Sequence, residues 1–466
     1  MKTLHLTNSW GETSGGVAAF YRALIVEANR RGHEIRLIVP SDNTRVEQIG
    51  DFGRIYHIEA PRSLLNANYR TIYPMQFLVT GSWLQNILTT ERPDLIEICD
   101  KYTLNYLGAL IRNGLIPSLE SRPVVAGLSQ ERMDDNVRAY LRSLPFAPAL
   151  CAAYMKWVYL PFFDHHIANS EYTAAELRSA GEGHLVPRGV WIRPMGVDMD
   201  HLSPQRRNAE HRRRLLQNFG ACDDAVLLLY VGRLVPEKNL NLLSDLVARL
   251  AKGGRRDYRL LVVGDGIQRK FWQSKYESAL LGRAFFFGHI RDRNILADIY
   301  ANADIFVHPN PREPFGIAPL EAMASGVPLV APDTGGVTSF ANGENAWIVP
   351  ADVDHFTAAI EEVTANPALA AEKVKKALDT AQRYRWEQVT AAFLELYSEL
   401  HRQELGQGTL QIPAFSSTPA GRWQAAIMRT AAVSAVRVFR LWALLASGNI
   451  QPRRHQHPRN IRSSHG

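Results

Sequence analysis

The feature that most constrains this chain is an alternation of short apolar segments with amphipathic segments, which runs twice along its 466 residues. An apolar segment, a helical segment and a second apolar segment in succession predict a βαβ unit, and repeated units of this kind predict a parallel sheet. The apolar segments of the first run are 4–6, 34–39, 94–99, 123–127 and 165–169, and those of the second are 226–232, 258–264, 284–287, 303–307, 328–331 and 347–349. The sequence therefore predicts an α/β fold.

A change of composition separates the two runs. Residues 194–204 contain two prolines, a glycine and three aspartate or serine residues, and a very basic segment follows at 206–214. A chain of this length is also too long for one ordinary hydrophobic core. We therefore predict a first domain over 1–197 and a second domain over 205–383.

Charge and cysteine content narrow the class of protein. Eight arginines and no acidic residue lie in 421–466, and subtracting them from the net charge of +7 leaves −1 for the remaining chain. The main body is thus near neutral, so we expect no nucleic-acid partner. Three scattered cysteines show no metal-ligand spacing and are typical of a reducing compartment, and no apolar window is long enough to span a membrane. These observations predict a cytoplasmic protein.

The basic C-terminal region, 406–466, forms a separate appendage in this interpretation. Residues 406–420 are expected to be a linker, 422–446 an amphipathic helix, and the remainder a disordered basic tail. At 100° per residue, four arginines of the helix fall within about 80° of one another, opposite an apolar face with two tryptophans. The pattern predicts peripheral attachment to an anionic membrane surface. Packing on the protein's own surface and nucleic-acid binding remain the alternatives.

Two glutamates eight residues apart, Glu313 and Glu321, enclose a loop that leads into a helix. We expect Pro319 at the first helical position, where its missing N–H is harmless, and Glu321 in the first turn. Free backbone N–H groups at Gly316, Ile317 and Ala318 then form an anion site. The segment predicts a cradle for a negatively charged ligand that carries many hydroxyl groups.

In its context, between an apolar strand and the strand and Gly335-Gly336 turn that follow, this segment resembles the E-x7-E motif of retaining GT-B glycosyltransferases, most closely glycosyltransferase family 4. The resemblance covers about residues 1–403. It implies two Rossmann-like domains facing a central cleft, with a last helix at 384–403 that packs back on the first domain. It also implies transfer of a hexose from a nucleotide-diphospho sugar to a lipid or glycan acceptor, with no cofactor.

A second motif, residues 232–239, resembles the family's G-R-L-x-x-x-K pattern, in which Arg233 and Lys238 hold the donor diphosphate. Fixed cations are most effective where negative charge develops in the transition state. Arg233, Lys238 and Glu313 are therefore the predicted catalytic residues. The residues that the resemblance assigns to donor binding are Gly15, Gly16, Gln130, Ile290, Phe315, Gly316, Ile317 and Glu321.

The chain departs from the family at Gln130, which replaces a histidine that faces the donor sugar. Glutamine can hydrogen-bond to a sugar hydroxyl but cannot titrate, so it is no general base. This suits a front-face displacement in which the leaving phosphate takes the acceptor proton. A degenerate, weakly active site is the alternative interpretation. Asp198 and Asp200 match a metal-binding Asp-x-Asp pattern by letter, but they lie in the linker, and we interpret them as a solvated turn with no metal.

The donor and acceptor follow from resemblance alone. Segments 69–74, 100–104 and 128–135 resemble mannosyltransferase-like members of the family, which favours GDP-mannose as the donor. A UDP-sugar-dependent glucosyl- or N-acetylglucosaminyl-type transferase is the alternative. A GT-B-fold epimerase would need an acid and a base that the matching loops do not show, and the four charged residues of the two motifs argue against a non-enzymatic binding module.

Overall fold

The computed structural model describes residues 1–11, 15–63, 69–77, 81–116, 119, 121–140, 145–181, 189–218, 220–253, 256–280 and 282–408. These residues form two α/β halves, each built on its own sheet, so the predicted α/β architecture with two parallel-sheet domains is confirmed. The C-terminal helix predicted over 422–446 lies outside the described residues.

The first sheet contains eight strands in the order β3-β4-β2-β1-β5-β6-β7-β8. Every neighbouring pair is parallel except β3 and β4, which are antiparallel at one edge. The strands are β1 (Lys2–Thr7), β2 (Glu34–Ser41), β3 (Arg45–Ile49), β4 (Gly53–Glu59), β5 (Leu95–Cys99), β6 (Val124–Ser129), β7 (His165–Ala168) and β8 (Val190–Ile192). The helices of this half are α1 (Gly15–Arg31), α2 (Trp83–Glu91), α3 (Asn105–Arg112), α4 (Met133–Tyr140), α5 (Ala147–Tyr154) and α6 (Glu171–Ala180).

The second sheet contains six parallel strands in the order β11-β10-β9-β12-β13-β14. They are β9 (Val226–Val231), β10 (Tyr258–Val263), β11 (Ala284–Gly288), β12 (Ile305–Val307), β13 (Leu329–Pro332) and β14 (Trp347–Val349). The accompanying helices are α7 (Ala209–Asn218), α8 (Leu240–Gly253), α9 (Arg269–Leu280), α10 (Arg293–Asn302), α11 (Ile317–Ala324), α12 (Val353–Ala365), α13 (Pro367–Arg383) and α14 (Trp386–Gln407).

Central strands are mostly apolar because helices cover both faces of each sheet. All five residues of β5 are buried, and so are five of the six residues of β9. Parallel strands covered on both sides carry continuous apolar runs instead of alternating ones. This explains why these strands are conspicuous in the sequence.

The last helix, α14, leaves the second half of the chain and packs against α1 in the first. The rings of Phe20 and Phe393 lie 4.7 Å apart, and Tyr397 donates a hydrogen bond to the buried carboxylate of Glu97. Near its end, Glu404 contacts His165 of β7 at 2.8 Å. Buried aromatic packing and buried hydrogen bonds therefore fix this helix on the first sheet. None of the described helices is long and apolar enough to cross a membrane.

Candidate active site

A cleft of about 2260 Å³ lies between the two halves. Both contribute to its walls, and it contains all eleven residues that the sequence analysis selected. From the first half these are Gly15, Gly16 and Gln130, and from the second they are Arg233, Lys238, Ile290, Glu313, Phe315, Gly316, Ile317 and Glu321. The fold thus brings together residues that lie up to 306 positions apart in the chain.

Lys238 and Glu313 form an ion pair in this cleft. Lys238 Nζ lies 2.6 Å from Glu313 Oε2, and Asn310 donates its amide to the same oxygen at 3.1 Å. Desolvation alone would raise the pKa of Glu313, but Lys238, His308 and the hydrogen bonds outweigh it and lower the pKa to about 2. Glu313 is therefore ionised at neutral pH and holds Lys238 in place.

Two glycines hold the loop that carries Glu313. The N–H of Gly336 donates to the carbonyl of Glu313 at 2.6 Å, and a Cβ on Gly336 would lie 2.0 Å from the carbonyl oxygen of Pro314. Gly335 has φ +88°, a backbone conformation that residues with a Cβ rarely adopt. The Gly335-Gly336 turn therefore has to be built from glycine for the loop to approach this closely.

Helix α11 begins earlier than expected. Gly316, at φ +102°, precedes the helix, which starts at Ile317, so Pro319 occupies the third helical position and Glu321 lies beyond the first turn. The predictions that placed Pro319 first and Glu321 in the first turn were wrong. Proline is harmless there too, because the first N–H groups of a helix have no partner within it. The N–H groups of Gly316 and Ile317 remain at the start of the helix, in the cleft.

Glu321 differs from Glu313 in its surroundings. Tyr300 donates its hydroxyl to Glu321 Oε2 at 2.7 Å. Desolvation raises the pKa of Glu321 to about 7, against the smaller opposing effects of Tyr300 and Arg293. The two glutamates of one motif therefore have different charges near neutrality, since no lysine or arginine pairs directly with Glu321 among the described residues.

Arg233 lies at the junction of the two halves. Its Nη2 lies 3.2 Å from Glu237 Oε1, and Tyr140 of α4 donates to Glu237 Oε2 at 2.8 Å. The guanidinium is half-exposed, so it can be reached by a ligand in the cleft. Tyr230 donates to the carbonyl of Arg233 at 3.1 Å, which fixes the loop after β9.

The first half contributes backbone and amide groups. A Cβ on Gly16 would lie 2.7 Å from Ile317 Cδ1, so the glycine loop at the start of α1 approaches the start of α11, whereas no atom of the described residues lies within 4 Å of a Cβ on Gly15. Gln130 Nε2 is buried and has no hydrogen-bond partner within the part of the chain that the structure describes. Ile290, at the far wall, is partly buried and packs against the core.

Sequence reasoning did not assign a role to Glu131, which also lines the cleft. Asn136 Nδ2 donates to Glu131 Oε2 at 2.9 Å, and desolvation raises the pKa of this carboxyl despite the opposing charge of Lys101. The available signal was its position directly beyond the carboxyl end of a central parallel strand, where ligands of α/β sheets bind.

The Asp-x-Asp pattern of the linker forms a turn. Asp198 Oδ1 accepts from the N–H groups of Asp200 and His201, and Asp198 Oδ2 contacts His201 Nδ1 at 2.8 Å and Arg293 at 3.3 Å. Asp200 pairs with Arg385 at 3.1 Å. Within the described ranges, no three His, Cys, Asp or Glu side chains are grouped so that they could hold a metal ion.

Comparison with known proteins places this architecture in a family. Residues 14–201 match the model "Glycosyltransferase Family 4", and residues 212–381 match "Glycosyl transferases group 1". The chain is 30% identical over 341 residues to a GDP-mannose-dependent alpha-mannosyltransferase of Mycolicibacterium smegmatis, covering 72% of this chain and 80% of that protein. It is 27% identical over 400 residues to a GDP-mannose-dependent alpha-(1-6)-phosphatidylinositol dimannoside mannosyltransferase of Mycobacterium tuberculosis, covering 84% and 95%.

Among solved structures, the chain is similar to a sucrose-phosphate synthase from Thermosynechococcus elongatus. The TM-score is 0.68 at 20% identity, and the match covers 86% of this chain and all of that one. At this identity the likeness concerns the fold alone.

Proposed function

The chain belongs to glycosyltransferase family 4 and has the GT-B fold, and from this premise we propose that it transfers mannose from GDP-mannose to a lipid acceptor. The observation that carries the proposal is the convergence of Arg233, Lys238, Glu313 and the start of α11 in the cleft between the halves. The donor and the lipid nature of the acceptor are inferred from relatives named for GDP-mannose and for phosphatidylinositol dimannoside.

The proposed site handles the charge of the leaving nucleoside diphosphate. As the bond between the sugar and the phosphate breaks, negative charge accumulates on the phosphate oxygens. Arg233 supplies a planar fork of donors, Lys238 a compact cation, and α11 the partial positive charge of its N-terminus. Groups fixed in position before the reaction stabilise this charge without having to reorganise. We infer that no metal ion is required for this step.

We propose that the reaction retains the configuration of the sugar. Gln130 cannot titrate, so the acceptor hydroxyl proton needs another base. In a front-face displacement, the bond from the anomeric carbon to the acceptor oxygen forms on the side from which the phosphate departs. A phosphate oxygen takes the acceptor proton, and the products are the α-mannoside and GDP. The Nε2 of Gln130, which has no partner among the described residues, is available to orient a sugar hydroxyl.

The two glutamates have separate roles in this proposal. Glu313 is ionised, pairs with Lys238 and lies on the reacting side of the site, so it serves transfer. Glu321, hydrogen-bonded to Tyr300, accepts hydrogen bonds from the ribose hydroxyls and serves nucleotide binding. Ile290 contributes backbone contacts to the base.

A membrane location follows from the lipid acceptor. The arginine-bearing segment 422–446 is proposed to attach the protein peripherally to the inner face of the membrane, with its arginines among anionic headgroups.

Thermal denaturation with a panel of nucleotide sugars tests the donor. A ligand that binds only the folded protein raises the melting temperature according to its affinity. GDP-mannose is expected to stabilise the protein more than UDP-glucose or UDP-N-acetylglucosamine at equal concentration, with a chelator present throughout. Stronger stabilisation by a UDP-sugar would favour the alternative donor class.

A further inference from the structure

Helix α5 and the π-helical turn Met155–Tyr159 that continues it attach to the first half through one side only. Cys151, Met155 and Tyr159 recur at intervals of four residues, are buried, and belong to the apolar core beneath the sheet. This periodicity places one face of the helical segment against the domain. Apolar residues also occupy the face of the helical segment that points away from the domain.

That opposite face exposes large apolar side chains to solvent. Phe146 is 75% exposed, Leu150 is 65% exposed and Trp157 is 67% exposed, and Ala153 between them is exposed too. At 100° per residue these four positions fall within about 60° of one another. We call them the apolar stripe. Contiguous exposed apolar surface of this kind marks an interaction site, whereas single exposed residues do not.

Within the stretch of sequence that carries the apolar stripe, the charged residues are all of one sign. Residues 136–163 contain three cations, Arg138, Arg142 and Lys156, and no aspartate or glutamate. Lys156 Nζ lies 5.2 Å from the centre of the Trp157 ring. Apolar and aromatic side chains flanked by lysine and arginine suit the boundary between acyl chains and anionic headgroups. This charge complementarity favours an anionic lipid surface as the occupant.

The apolar stripe also lies next to the cleft in the chain. Helix α4, which precedes it, contributes Asn136, Val137 and Tyr140 to the cleft wall. We propose that the apolar stripe is a membrane-docking surface that rests on an anionic bilayer and presents the cleft to an acceptor held in that bilayer. This inference rests on the proposed lipid acceptor, and it places a membrane contact on the catalytic body itself, separate from 422–446.

Co-sedimentation of the full chain with vesicles of phosphatidylcholine and phosphatidylglycerol tests the proposal. The double variant Phe146→Ser, Leu150→Ser removes two exposed apolar side chains of the apolar stripe. The matched control Phe271→Ser, Leu405→Ser removes the same residue types at 60% and 56% exposure elsewhere on the surface. The stripe variant is expected to bind vesicles at least about tenfold more weakly, with the control unchanged.

Each other outcome overturns the proposal. Unchanged binding of the stripe variant would assign attachment to the C-terminal region alone, and equal loss in both variants would show a non-specific effect of surface hydrophobicity. A dimer in solution that only the stripe variant dissociates, without loss of vesicle binding, would identify a second copy of the chain as the occupant. The co-sedimentation assay contains no nucleotide sugar, so its result does not depend on whether the donor is GDP-mannose. Stabilisation by GDP-mannose, equal in both variants, shows that the site is intact.

Discussion

At the residue scale, the two cations of the proposed donor site are held in different ways. Lys238 is partly buried against Glu313, whereas Arg233 is half-exposed beside Glu237. Removing one partner of a buried ion pair leaves the other charge uncompensated, but an exposed pair contributes little to stability. The same loss of catalytic charge should therefore have different effects on folding at the two positions.

We predict that Arg233→Ala and Lys238→Ala each lower turnover by about 100- to 1000-fold, since each removes a cation from the departing diphosphate. Lys238→Ala should also reduce the free energy of unfolding by roughly 1–3 kcal/mol, while Arg233→Ala should change it by less than about 0.5 kcal/mol. Steady-state kinetics and denaturant unfolding measure both effects. Arg249→Ala, which removes the arginine of an exposed ion pair with Asp354, is the control. Near-normal turnover in both folded variants would place the site elsewhere.

We predict that Glu321 makes nucleotide binding dependent on pH. Its pKa of about 7 lies well above the value near 4.3 that is usual for glutamate, so its contribution to stability is complete below the usual value and is lost as pH rises through about 7. In the proposed site, ribose hydroxyls donate to the ionised form, so GDP affinity should increase roughly tenfold from about pH 6 to about pH 8. Isothermal titration calorimetry of the wild type and of Glu321→Gln measures GDP affinity at each pH. The same dependence of affinity on pH in the variant would show that another group is responsible.

The residues of the site were predictable where chemistry fixes their spacing. Glu313, Glu321, Arg233 and Lys238 are recognisable from motifs and meet in one cleft. Their charge states were not predictable, because the pKa difference between the two glutamates depends on the burial of Glu321, which only the fold establishes, and on Lys238, which comes from another part of the chain to pair with Glu313.

At the scale of single elements, the loop from Glu313 to α11 depends on the turn at Gly335-Gly336. We predict that Gly336→Ala abolishes donor binding, because the new Cβ would lie 2.0 Å from the Pro314 carbonyl and force the loop that carries Glu313 to move. Gly343→Ala is the matched control, since no atom of the part of the chain that the structure describes lies within 4 Å of a Cβ there. Thermal shifts with GDP-mannose compare the two, and full donor stabilisation of Gly336→Ala would contradict the role given to this turn.

Element prediction succeeded for buried strands and was less accurate at ends and edges. Strand β9 is a continuous apolar run and β5 is apolar except for Glu97, and both were found directly. The edge hairpin of β3 and β4 was missed, because most residues of β3 are exposed and carry no apolar run. The start of α11 was misplaced, since a glycine with positive φ can begin a helix ahead of the proline that normally marks the first position.

At the scale of the whole molecule, the halves touch across the cleft. Tyr140 donates to Glu237, Ser170 donates to the carbonyl of Pro314, and Gly16 approaches Ile317. The two-domain architecture followed from the repeated alternation and the resemblance. The contacts between the halves did not, because they depend on the relative placement of loops that no local pattern encodes.

Mannosyl transfer measured in the presence of a chelator tests the central claim most directly. Purified protein is incubated with GDP-mannose carrying labelled mannose and with lipid-borne acceptors, and the product is examined for its anomeric configuration. We predict GDP release coupled to formation of an α-mannosyl lipid, undiminished by the chelator and about 100- to 1000-fold slower in Arg233→Ala. A β-linked product, a requirement for added manganese, or transfer from UDP-sugars but not from GDP-mannose would contradict the account.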